Sequence, residues 1–102
     1  MLVDLPSVVD ELNIELVIAY GSTFTGKKRG LFGRKDLDLI IVTDFFRSMS
    51  IYKRQQIVNE RLGKRIDLVP LTTQEYKNLR KKKQSIVNIA LKEGKILYVA
   101  KQ

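Results

Sequence analysis

Residues 36–43, Asp-Leu-Asp-Leu-Ile-Ile-Val-Thr, limit the folds open to this chain more than any other segment. From Leu37 onward the run is short, β-branched and apolar at odd and even positions alike. A strand turns alternate side chains to opposite faces, so a run apolar on both faces belongs inside a sheet and not at an exposed edge. The same alternation sends Asp36 and Asp38 to one side, about 7 Å apart along the strand, and Leu37, Leu39 and Ile41 to the other. Two like charges held together are costly to a fold, and a divalent cation is the usual remedy. Upstream, Leu16-Val17-Ile18-Ala19-Tyr20 is a second apolar strand, closed by Gly21-Ser22.

The rest of the 102 residues reads as one domain, 1–102, with no repeat or linker dividing it. Ser7 is placed as the N-cap of a short helix with Val8, Val9 and Leu12 on its apolar side. Residues 23–35 contain Gly26, Gly30 and Gly33 among basic residues and read as a loop. A helix starting near Ser50 ends at Gly63. Residues 65–69 form a third strand that Pro70 stops. Thr72-Thr73-Gln74-Glu75 is a capping-box start for a long helical stretch, with a break at Gln84-Ser85 allowed, and Gly94 ends it. Residues 96–99 are a fourth strand. The expected fold class is α/β (α+β), in the order α-β-β-α-β-α-β. It has a small mixed sheet of three to four strands and helices mainly on one face, which leaves the acids to the other face.

Composition narrows the chemistry. The chain has no cysteine and no histidine, which excludes a disulfide framework, a thiolate or imidazole metal site and a histidine-based triad. A metal here must be held by oxygen, which favours Mg2+ or Mn2+. No apolar stretch approaches a membrane span, and the N-terminus lacks a signal-peptide pattern, so a cytoplasmic location is expected, with no membrane partner. Nineteen basic residues against eleven acidic ones give a net charge of +8. All of that excess lies after residue 26, densest at Lys27-Lys28-Arg29, Arg34-Lys35 and Arg80-Lys81-Lys82-Lys83. Such a surface suits a polyanion, or serves solubility alone.

Gly21-Ser22-Thr23-Phe24-Thr25-Gly26-Lys27-Lys28 approximates the phosphate loop of nucleoside triphosphatases. Lys28 stands where that motif needs Ser or Thr to hold magnesium, and Arg29-Gly30-Leu31-Phe32-Gly33 follows in place of a helix start. The same residues fit a second pattern better. A strand ending in Gly21-Ser22, then Asp36-x-Asp38 on the next strand, then Asp67 within Ile66-Asp67-Leu68-Val69, resembles the DNA polymerase beta superfamily of nucleotidyltransferases. The closing segment, residues 90–98, is similar to the last helix and strand of its small prokaryotic members, the minimal nucleotidyltransferases. Thirteen residues separate Ser22 from Asp36, a few more than is common in that group.

The resemblance implies a magnesium-dependent transferase that moves a nucleoside monophosphate, AMP from ATP being the expected case, onto a hydroxyl. Asp36, Asp38 and Asp67 would be its catalytic and metal-binding carboxylates. Gly21 and Ser22 would sit against the triphosphate, with Lys27 and Lys28 as further candidates there. Stand-alone members are commonly antitoxins paired with a helical HEPN-type ribonuclease toxin, so that protein is the expected partner and acceptor, in a homo- or hetero-oligomer. Nucleic acid is a further partner the charge allows but does not require. Other readings stay open. Asp36 could terminate the loop and Asp38 could pair with Lys35 or Arg65. Tyr20 and Phe24 could stack on a base, though core packing is the plainer role. The chain could also be a non-catalytic partner-neutralising or nucleic-acid-binding module, or a transferase for a small molecule.

Overall fold

The computed structural model describes residues 5–21, 37–63 and 66–100. Strand β1 (Leu16–Tyr20) lies between β2 (Leu37–Val42) and β4 (Lys95–Val99), antiparallel to both, and β3 (Ile66–Leu71) runs parallel to β2 on its far side. The spatial order is β3-β2-β1-β4. The two apolar runs thus occupy the centre, as their two-sided hydrophobicity requires. Four α-helices complete the described residues: α1 (Leu5–Leu12), α2 (Ile51–Leu62), α3 (Thr73–Arg80) and α4 (Ile86–Glu93), with a 3-10 turn at Asp44–Phe46 after β2. Parallel neighbours need a crossover, and α2 supplies it between β2 and β3.

Helices cover both faces of the sheet, not mainly one. Val17, Ala19, Leu39, Ile41 and Leu68 pack with α1 and α2 through Val8, Leu12 and Val58, and Phe46 fills the same core. The alternate residues Leu16, Ile18, Ile40, Val42 and Leu71 pack with Val87 and Ala90 of α4, joined by Tyr76 and Leu79 of α3. Neither face of β2 could be left to water, since Leu39, Ile40, Ile41 and Val42 are all at most 2% exposed. The expected bare face carrying the acids is therefore absent.

Several boundaries follow local chemistry. Ser50 caps α2 by accepting from the Lys53 N–H at 3.1 Å, and Gly63 stops it at φ 99°. Thr72 and Glu75 form the reciprocal capping box of α3. Ser85 caps α4, and the turn at residues 81–85 divides the last helical stretch in two. Gly94 lets α4 end against β1, since a Cβ there would fall 2.2 Å from the Ala19 carbonyl oxygen. Two expectations fail. Ser7 lies inside α1 and does not cap it. Pro70 does not end β3, which continues to Leu71. Proline removes a donor from a ladder, and β3 is an edge strand where that loss is tolerated.

Arg54 links these layers. It is buried on α2, yet its guanidinium donates to the Met49 and Pro70 carbonyls at 3.1 and 3.0 Å and to both Glu75 carboxylate oxygens at 2.7 and 3.3 Å. It also stands 5.7 Å from the Phe46 ring centroid. No helix among the described residues is long and apolar enough to cross a membrane.

Candidate functional site

The parallel register of β2 and β3 sets Asp38 beside Asp67, in line with Ile40 beside Val69 and Val42 beside Leu71. Adjacent strands lie ~4.8 Å apart, so the two aspartates leave the backbone at that spacing. Both share the sheet face of Ile40 and Val42, the one under α3 and α4, and stand at its end, where Asp38 is half-buried and Asp67 exposed. On the other side of Asp38, the antiparallel register places Tyr20 of β1 opposite it. Tyr20, Asp38 and Asp67 therefore form a row across three strands.

Electrostatics tie the row together. Partial burial pushes the Tyr20 phenol above its ordinary value of 10.0, and the negative charges of Asp38 and then Asp67 push it further. A phenolate there would be a third negative charge in the row, so the hydroxyl keeps its proton.

Gly21 ends β1 at φ +83° and lies directly against Asp38. A Cβ at position 21 would sit 2.2 Å from Asp38 Oδ2 and 3.1 Å from its Cγ. The left-handed backbone favours glycine here, and a Cβ would in addition displace the Asp38 carboxylate.

The C-terminus of α4 abuts the end of β1. A Cβ on Gly94 would lie 2.9 Å from the Tyr20 Cβ, so α4 ends in contact with the strand that carries Tyr20 and Gly21.

Of the expected site residues, the structure brings Gly21, Asp38 and Asp67 together. Asp36, Ser22, Lys27 and Lys28 lie outside the described residues, as do Phe24, Lys35 and Arg65. Among the described residues no group of three or more acidic side chains is arranged to hold a metal; Asp38 and Asp67 are a pair. Two carboxylates at interstrand spacing, with no histidine or cysteine in the chain, make an oxygen-only donor set. Oxygen donors are the kind that a hard divalent cation such as Mg2+ or Mn2+ takes. Tyr20 packs against the core of Leu16, Ile18, Ile40 and Val42, as expected, and also lies in the row with the two acids. Its signal in the sequence was adjacency to Gly21-Ser22, which alone could not distinguish a core tyrosine from one facing two acids. Comparisons with protein-family models, with curated proteins and with solved structures gave no match.

Proposed function

We propose that this chain is a Mg2+- or Mn2+-dependent nucleotidyltransferase of the kind its motifs resemble, moving AMP from ATP onto a hydroxyl and releasing pyrophosphate. The observation that carries the reading is the register of β2 and β3, which sets Asp38 and Asp67 side by side on one face above Gly21. Asp38 and Asp67, with Asp36 from the sequence pattern, would hold the cation. When bound, it would neutralise phosphate charge and help align the attacking and leaving oxygens.

The chain's own groups set the rest of the chemistry. The acceptor oxygen bonds to the α-phosphorus as the bond to the bridging oxygen breaks, and pyrophosphate carries away that electron pair. Asp67, the more exposed of the pair, would take the acceptor's proton. Tyr20, kept protonated beside both acids, can donate a hydrogen bond without adding negative charge. Ser22 and the backbone after Gly21 are the sequence candidates for the triphosphate.

The acceptor is taken to be a hydroxyl of a partner protein. A HEPN-type toxin is the partner that the resemblance implies. Transfer of label from α-labelled ATP, with Mg2+ and a candidate acceptor protein, tests the reading. Label should appear with wild type and vanish with Asp38→Asn and with Asp67→Asn, while γ-labelled ATP should label nothing. Transfer that survives both substitutions overturns the proposal.

A further inference from the structure

Arg80, Lys81, Lys82 and Lys83 run from the end of α3 into the turn before α4, and all four are exposed. A lysine run on a loosely held turn would be a solvated surface and nothing more. This turn is held. The Asn88 side-chain amide, on α4, donates to the Arg80 carbonyl at 3.0 Å and to the Lys82 carbonyl at 2.8 Å, while its oxygen accepts from the Arg80 guanidinium. Ser85 Oγ donates to the Leu79 carbonyl at 2.7 Å and accepts from the Asn88 N–H at 3.2 Å. Backbone bonds from Lys81 to Asn78, Lys82 to Leu79 and Ser85 to Lys82 complete the turn.

The charges it displays are not matched locally. Among the described residues the ion pairs are Arg54–Glu75, Arg61–Glu11 and Arg61–Glu60, and none involves residues 80–83. Glu75, the one acid of α3, is engaged by Arg54 and by the Thr72 N–H. Lys77 and Lys92 on the same helix pair add to the positive field, against Glu93 at the end of α4. Fixing four cations in consecutive positions concentrates repulsion, which a row of anions relieves.

We propose that this pinned turn binds the phosphodiester backbone of a nucleic acid. The chemistry of residues 80–84, Arg-Lys-Lys-Lys-Gln, separates that partner from an acidic protein. Protein interfaces are built around apolar and aromatic anchors and are depleted in lysine; residues 80–84 hold no such anchor, and the exposed Ile86 and Ile89 lie beyond them on α4. Phosphate contacts, by contrast, are made chiefly by Lys and Arg and need no apolar centre. Contacts made through phosphate leave binding sequence-tolerant. The inference stands on α3 and α4 alone and is independent of the Asp38–Asp67 reading.

The test is fluorescence anisotropy with a labelled single-stranded RNA of about 20 nucleotides, and a duplex DNA of the same length, across a salt series. The Lys81→Ala/Lys82→Ala/Lys83→Ala variant should bind RNA at least tenfold more weakly. Its slope of log K on log salt should fall by about 2, from ~0.7 per lost phosphate contact on a single strand. For duplex DNA the fall should approach ~2.7, at ~0.9 per contact. Asn88→Ala keeps every charge and releases the turn, so it should weaken binding several-fold with circular dichroism unchanged. Unaltered affinity and slope in the triple-lysine variant overturn the proposal. So does an equal loss from Arg47→Ala/Lys53→Ala/Lys95→Ala, exposed cations off α3 and α4, which would make binding a matter of net charge. Binding of polyglutamate as tight as that of RNA would overturn it as well.

Discussion

The Asp38 carboxylate fills the space that any side chain at Gly21 would need, with Oδ2 2.2 Å from the position of a Cβ. The end of β1 and the start of β2 are thereby fitted to each other through one acid and one glycine. Gly21→Ala must push Asp38 aside and hold a non-glycine residue at φ +83°. The left-handed backbone alone costs roughly 1–2 kcal/mol. The expected outcome is a modest fall in Tm with near-complete loss of label transfer, read by calorimetry and by the transfer assay on one preparation.

Tyr20 reports on the acid pair. Its phenol ionises above the ordinary value of 10.0 because of burial and the charges of Asp38 and Asp67. A raised pKa means that the folded state holds the proton more tightly. The associated stability is fully present below about pH 10 and is lost as pH rises through the higher folded value. Asp38→Asn should move the phenolate absorbance transition down toward 10, and Asp67→Asn should do so less. Mn2+ or Mg2+ added to wild type should also move it down. The chain has four tyrosines, so the Tyr20 signal is the difference between wild type and Tyr20→Phe.

Glu75 and Arg54 set the acid limit of the fold. The Arg54 guanidinium holds the Glu75 carboxyl below its ordinary 4.5 against the opposing effect of burial, and the Thr72 cap bonds lower it further. A lowered pKa gives stability that is present above about pH 4.5 and lost as pH falls through the lower folded value. Asp44, bonded to the Thr73 N–H and hydroxyl, shifts in the same direction and adds to that limb. Glu75→Gln should flatten the decline of Tm in acid. Arg54→Ala should cost about 2–4 kcal/mol at neutral pH. That is near the ~3–5 kcal/mol expected for opening a buried pair, less a discount because Glu75 is 43% exposed.

Gly94→Ala should destabilise the fold without touching the acids. Its Cβ would meet the Ala19 and Ala90 carbonyl oxygens at 2.2 and 2.8 Å, and backbone atoms cannot rotate away. Overpacking of this kind costs about 1–3 kcal/mol. A Tm lower by roughly 8–16 °C is expected for a cost of about 2 kcal/mol in a domain this size. The Mn2+ affinity of the protein that remains folded should match wild type.

Strands and caps were legible because their signals are local. The run from Leu16 to Tyr20, Ser50, Gly63 and the Thr72–Glu75 box each carry their own explanation within a few residues. The two-sided cover was written in β2 as well, since Leu39 with Ile41 and Ile40 with Val42 are equally apolar, and helices on one face could satisfy only half of them. Arg54 was not legible. Its partners Pro70 and Glu75 lie 16 and 21 residues away, and on a sequence it is one cation among nineteen. Asp38 and Asp67 were legible as types on strands, but their adjacency depends on the parallel register of β2 and β3, which no local pattern encodes. Asn88 gave no signal because its role exists only once α4 folds back on the end of α3.

Calorimetric titration of Mn2+ into wild type, Asp38→Asn, Asp67→Asn and Asp36→Asn tests most directly whether the acid row is a cation site. Wild type should bind, and each single substitution should weaken binding at least tenfold with the fold intact by circular dichroism. Wild-type affinity in both Asp38→Asn and Asp67→Asn would contradict the site and the transfer chemistry built on it.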